Sequence, residues 1–305
     1  MNNKPQLTIR AILIGLMLIW LPSVSEAATY GAGIENSRWN LLDSVFDCSL
    51  TQDIPGYGKA VFRHRAGEAL TFYLESEGRM MRPGRGSLVV EAPAWRPGVA
   101  PRPVGAIEVA ESNRPVSLDR RQTMILISGL LDGMAPTLTR QAWYSSDLIR
   151  VRLSNVNFAQ LFESYRSCVA SLLPVNYDQV RRSRIRFASD SANLSDADRH
   201  LLDNIVAYVL ADATVERIFV DGHSDRAGSR IHNRALSEER ANAVADYMIS
   251  QGVAKDRIIV RAHGDQYPVS RRPADNRRAT IRLERQGERP EMQRASSGTD
   301  GESNG

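Results

Sequence analysis

Asp225 and Arg240 are the pair of side chains whose types and spacing could do chemistry. Asp225 closes the segment Val220-Asp221-Gly222-His223-Ser224-Asp225, a tight glycine-bearing turn, and Arg240 follows fifteen residues later. At about 100° per residue, Leu236, Arg240, Val244 and Tyr247 fall within one narrow arc of a helix. The arginine therefore faces the fold and not the solvent. A guanidinium held away from water calls for a carboxylate, because an unpaired buried charge is very costly. Two arrangements meet that need. Asp225 neutralises Arg240 permanently, or the two groups form a small polar pocket for a ligand that carries both an anion and a cation.

Placing this pair takes a strand ahead of the turn and a helix behind it, and residues 174–286 alternate in that way. Arg184–Phe187 reads as a strand. Ser195 with Asp198 three residues on is a helix-capping pattern, and the helix behind it is predicted to bury Leu201, Leu202, Ile205, Val206, Val209 and Leu210. Arg217–Val220 is a second strand, Ile231–Ser250 a second helix stopped by Gly252, and Ile258–Ala262 a third strand. Residues 277–285 form a last strand with alternating Ala279, Ile281 and Leu283. The expectation is two main helices on a mixed sheet, an α/β sandwich.

The order Gly222-His223-Ser224-Asp225, then Leu236-Ser237, Arg240-Ala241 and Val244, resembles the peptidoglycan-binding domain of the OmpA, Pal and MotB-type proteins. Gly264-Asp265, Pro268 and Asn276-Arg277-Arg278-Ala279-Thr280-Ile281 match that family's closing segment, so the likeness covers roughly residues 175–285. It implies that Asp225 and Arg240 hold the diaminopimelate side chain of the wall's stem peptide, with Ser224, Asn233, Leu236, Ser237 and Arg278 as further peptidoglycan-binding residues. Diaminopimelate is zwitterionic at its free end, so an acid for the ammonium and a planar fork for the carboxylate suit it. One departure is visible. Many members carry an acid directly after the first-strand Phe, whereas here Phe187 is followed by Ala188, with Asp190 two residues further on.

The beginning of the chain reads as a secretory signal over residues 1–27. Lys4 and Arg10 form a basic start, Ala11–Leu21 an uncharged apolar run too short for a comfortable membrane span, and Ser25 and Ala27 the small residues a signal peptidase needs. A mature protein starting near Ala28, exported to the periplasm, is expected. Both cysteines, Cys48 and Cys168, lie beyond that point. In an exported chain an even pair is most simply a disulfide, with two buried free thiols as the alternative. The formal charge is +4, and lysine occurs only at positions 4, 59 and 255. No nucleic-acid recognition motif accompanies that surplus, so no nucleic-acid partner is expected.

Residues 28–173 are dominated by short β-like runs: Ala60–Arg63, Leu70–Leu74, Leu88–Glu91, Met124–Ile127, Thr137–Trp143 and Ile149–Leu153. Pro93–Pro103 reads as a connecting loop. Asn157–Leu172 reads as a helix, with Phe158, Leu161, Phe162, Tyr165 and Val169 on one face and Cys168 among them. Residues 287–305 lack an apolar period and read as a disordered tail. The whole is thus α+β, a β-rich first domain followed by the sandwich. Trp39, then Ser44, Phe46, Cys48 and Leu50, then Gln52, Ile54-Pro55 and Tyr57-Gly58, with Phe62 and Ala66-Gly67-Glu68 behind, resemble the N-terminal domain of the MotY family of flagellar-motor T-ring components. That likeness implies a Cys48–Cys168 disulfide and a division of labour. The first domain binds the basal body and, in some motors, a MotX-like partner; the second grips the wall, so that a ring of many copies holds stator units around the rotor.

Catalysis finds little footing here. Histidines 64, 200, 223, 232 and 263 show no metal-ligand spacing, so His223 is expected to be a strand-end packing residue. Ser44 and Ser237 have no convincing His/Asp partners, and no phosphate-binding glycine loop exists. No enzyme activity, cofactor or metal is expected. Trp39, Trp95 and Trp143 are read mainly as core, with Trp95 in its Pro/Arg-rich loop kept as a partner contact. A general periplasmic wall anchor unconnected with motility is the alternative function.

Overall fold

The computed structural model describes residues 27–93 and 95–288. The expected signal sequence and tail therefore lie, except for their inner ends, outside the described residues. The first half is built from β1 (Ala28–Gly31), β2 (Trp39–Asp43), β3 (Asp47–Ile54), β4 (Gly58–Arg65), β5 (Thr71–Ser76), β6 (Gly84–Glu91), β7 (Arg102–Val109), β8 (Val116–Leu118), α1 (Arg120–Leu131), β9 (Ala135–Gln141), β10 (Leu148–Arg152) and α2 (Phe158–Ala170). They form two five-stranded sheets, ordered β1-β10-β9-β6-β7 and β2-β3-β4-β5-β8. Period-2 burial along the strands, as at Phe72 and Leu74 or at Leu88 and Val90, supplies the core. Trp39, Phe62 and Phe158 join it through ring contacts at 4.9–5.9 Å.

Three expectations change here. Met124–Ile127 lies inside α1 and is not a strand. Asp119 caps that helix by accepting the Gln122 N–H, and Leu126, Ile127 and Leu130 face the core while Met124 and Ile125 are exposed. A four-residue apolar run carries no period of its own, so the cap and Leu130 decide it. The Pro93–Pro103 loop ends early, because Arg102 and Pro103 already pair with β6. Trp95 and Trp143 are exposed, and only Trp39 is core. The disulfide joins Cys48 on β3 to Cys168 on α2, with Cα atoms 6.0 Å apart.

The chain does not swing free at Pro174. The Leu173 N–H donates to Val45 O at 2.9 Å, Asn176 donates to Ala66 O, and Phe46 packs on Tyr208. There follow α3 (Tyr177–Val180), β11 (Arg182–Arg186), α4 (Asp196–Ala211), β12 (Val215–His223), α5 (Arg230–Ser250), β13 (Ile258–Ala262), α6 (Pro273–Asn276) and β14 (Arg278–Arg285). The sheet order is β11-β14-β12-β13, parallel between β12 and β13 and antiparallel elsewhere. Helices α4 and α5 bury one sheet face through Ile185, Val220, Ala279 and Ile281. On α4 the expected Leu210 is exposed, and Tyr208 is buried in its stead.

Candidate functional site at the head of helix α5

Close approach of helix to strand sets the geometry. A Cβ on Gly222 would stand 1.8 Å from Ser237 O, so only glycine lets α5 lie directly on the end of β12. Ser229 starts α5 by accepting the His232 N–H. Ser237 then ties the helix to the next loop: its hydroxyl donates to Arg234 O at 2.7 Å and accepts the Gly264 N–H at 2.9 Å. Ser224 N–H closes the loop by donating to Gly264 O. Ser237 is fully buried with its hydroxyl engaged, so the structure gives it a positioning place behind the site.

Arg240 is 0% exposed, as its place in the apolar arc requires. Its partners differ from the expectation. Among the described residues no carboxylate bonds it; Nε donates to Ser191 O at 2.9 Å, Nη1 to His223 O at 3.0 Å and Nη2 to Ala188 O at 3.1 Å. The guanidinium also stands over the Phe187 ring at 5.4 Å. Three carbonyl dipoles thus satisfy a cation that the sequence suggested needs an acid. Burial pulls its pKa down from the ordinary arginine value, and the nearby negative charge of Asp225 works against that.

Asp225 holds a different arginine. Its Oδ2 accepts from Arg277 Nη1 at 3.0 Å, and its Oδ1 accepts the Ala227 N–H at 3.0 Å. Arg277 Nε reaches Phe187 O at 3.3 Å, so the same arginine clamps the end of β11. The family likeness pointed to Arg278, the next residue along. Strand alternation separates the two: Arg278 pairs in register with His223 and Arg186 on the sheet face away from the helices. Arg278 is accordingly placed across the sheet from Asp225, where it donates to Tyr267 O. A signal for Arg277 is present in the chain, since Asn276-Arg277 stands at the point where it turns into β14.

Asn233 and Leu236 lie on the buried face of α5 at the same end. Asn233 Nδ2 and Ser224 Oγ are buried and have no hydrogen-bond partner. Asp190, in the left-handed region at φ 51°, meets His232 Nε2 at 2.9 Å on the rim. The site therefore collects the Asp225 carboxylate with Asp190 on its rim, one partly exposed guanidinium, one buried guanidinium and two unpaired polar groups. That set suits a small zwitterion. No group of three His, Cys, Asp or Glu side chains fit to hold a metal occurs among the described residues. His223 is buried, stacked on His263 with ring centroids 5.0 Å apart.

Comparison with known proteins finds two family matches in the order of the two halves of the chain. Residues 30–174 match the MotY N-terminal domain family, and residues 186–282 match the OmpA family. The sodium-type flagellar protein MotY of Vibrio parahaemolyticus is 28% identical over 268 residues, spanning 85% of this chain and 90% of that protein. Outer membrane protein A of Citrobacter freundii is 34% identical over 103 residues, which is 33% of this chain and 43% of that protein. The chain thus spans less than half of the latter relative. Among solved structures, the peptidoglycan-associated lipoprotein from Burkholderia pseudomallei aligns at 26% identity over 33% of this chain and 89% of that one, with a TM-score of 0.32.

Proposed function

We propose that this chain, which joins a MotY N-terminal domain to an OmpA-family domain, is a non-catalytic periplasmic part of the bacterial flagellar motor that binds the cell wall. The observation that carries the reading is the likeness to a flagellar protein along 85% of the chain, through both domains in order. The wall ligand is the diaminopimelate side chain of the peptidoglycan stem peptide. Its ammonium takes Asp225, and its carboxylate takes Arg277 and the charge of Arg240. Asn233 Nδ2 and Ser224 Oγ, buried without partners, complete its polar contacts. Without ligand, the Arg277–Asp225 bond closes the site on itself; the zwitterion replaces one ion pair with two, so no buried charge is stranded. Leu236 supplies an apolar wall.

The first domain is assigned to the basal body and, in motors that have one, a MotX-like partner. Stator units must react torque against something stiff, and the peptidoglycan mesh supplies that. A ring of copies makes weak individual wall contacts sufficient through multivalency. The test is a strain deleted for this chain. Non-motile or weakly motile cells with intact filaments and a sound envelope are expected. Normal swimming with a detergent-sensitive envelope would instead make the protein a general wall anchor.

A further inference from the structure

The face of the C-terminal sheet that the helices leave uncovered is a groove of about 850 Å³. Its floor is rich in arginine because the alternate residues of β11 and β14 pointing this way are Arg182, Arg184, Arg278 and Arg282. Two of the arginines lining the groove, Arg261 and Arg282, are answered locally. Arg261 makes a two-pronged bond to Asp221 at 2.6 and 2.8 Å, and the same Asp221 also meets His263 at 2.8 Å. Arg282 lies over Phe219 at 4.2 Å and 3.6 Å from Glu284.

Arg184 and Arg278 are different. Neither makes an ion pair among the described residues, although they are diagonal neighbours on one face of adjacent strands. Arg278 is only 3% exposed, lines the groove, and leaves its Nε without a hydrogen-bond partner. Between them and His263 sits His223, whose buried Nδ1 is also unpaired. Burial, Arg278, His263 and Arg184 push His223 down to about 3 against the opposing charge of Asp221, so the imidazole stays neutral, and the tautomer with its proton on Nδ1 donates from that atom. Two neighbouring guanidiniums that make no ion pair, with Asp221 acting on Arg278 only through space, and two buried nitrogens without partners, Arg278 Nε and His223 Nδ1, form a built receptor for an anion. Both Nη atoms of Arg278 already donate to carbonyls, of Asn276 and Tyr267, so a phosphate group, with several oxygens on one centre, would bridge the Arg184 fork and the unpaired Arg278 Nε.

We infer that this open sheet face is a second binding site, separate from the Asp225 site, for a phosphate-bearing anion held by Arg184 and Arg278 with His223 as donor. Phosphate of this kind comes from a lipid headgroup or from a soluble phosphorylated molecule, and one experiment separates the two. The purified full chain is titrated with sodium pyrophosphate by calorimetry at fixed salt. It is also floated with vesicles of phosphatidylglycerol and phosphatidylcholine, and with vesicles of phosphatidylcholine alone.

Binding of pyrophosphate, of the phosphatidylglycerol vesicles, or of both is expected, weakened about tenfold or more by Arg184→Glu. Arg184 is exposed, so that variant folds. Vesicle binding without pyrophosphate binding identifies a headgroup; the reverse identifies a soluble ligand. Asp225→Asn should leave these affinities unchanged, and Arg184→Glu should leave sedimentation with purified sacculi unchanged, so this site and the wall site fail independently. Binding to none of the probes, equal binding to both kinds of vesicle with none to pyrophosphate, or an affinity that Arg184→Glu does not alter, would overturn the assignment.

Discussion

Arg277 Nη1 lies 3.0 Å from Asp225 Oδ2, while Arg240, fully buried beside them, donates from each of its three nitrogens to a carbonyl, those of Ser191, His223 and Ala188. The two arginines therefore do different things. Arg240 stitches the end of β11, the end of β12 and helix α5 into one block, and Arg277 is the exchangeable half of the ion pair that a ligand would divide.

Substitutions at the two positions should separate binding from stability. Arg240→Ala removes the donors to three carbonyls, of which that of His223 is buried, and leaves a void, and is expected to cost on the order of 3 kcal/mol as well as wall binding. Asp225→Asn keeps the Oδ1 turn contact and should abolish sedimentation with sacculi while moving the melting temperature little. Equal melting temperatures for wild type and Arg240→Ala would contradict the carbonyl clamp.

Gly222→Ala puts a methyl 1.8 Å from the Ser237 carbonyl oxygen, an overlap that no side-chain rotation relieves. Helix α5 must move off β12, so both the fold of the second domain and its wall binding should suffer. Heteronuclear NMR spectra are expected to shift along residues 222–241; unchanged spectra there would mean that the contact is not so close.

Cys48→Ser opens a loop with a sequence separation of 120. The chain-entropy argument puts the loss at about 4–5 kcal/mol, all of it in the first domain. Lower periplasmic abundance and an earlier melting transition are expected, with sacculus binding by folded protein retained. An unchanged melting curve would remove the disulfide from the stability account.

His223 gives a pH signature. Its folded value, pushed down to about 3 by burial and by Arg278, lies below the ordinary histidine value of 6.5, so the unfolded chain binds the proton more readily. The associated stability is fully present above pH 6.5 and is lost as pH falls from there toward 3, by on the order of 4 kcal/mol across the window. Carboxylates lowered in the fold, such as Asp221 and Asp212, lose their contribution only as pH falls below about 4. Denaturant midpoints between pH 7 and about pH 4.5 should therefore drop for wild type and stay flat for His223→Gln.

Much of this protein was legible along the chain. The helical arc of Leu236, Arg240 and Val244 is a matter of period, and it places Arg240 inward whatever surrounds it. The strand-helix alternation of the second domain and the helix carrying Cys168 follow from local pattern in the same way. Where an apolar run was short, as at Met124–Ile127, pattern had no period to read and a cap outside the run settled the outcome. What met Arg240 and Asp225 was beyond reach of any local rule. Arg277 and Arg278 are neighbours in sequence, yet pairing of β14 with β11 and β12 sends Arg278 to the open face and leaves Arg277 at the edge beside Asp225. A strand's alternation is written in the chain, but which face receives which residue is set by register, and register exists only once the strands have met.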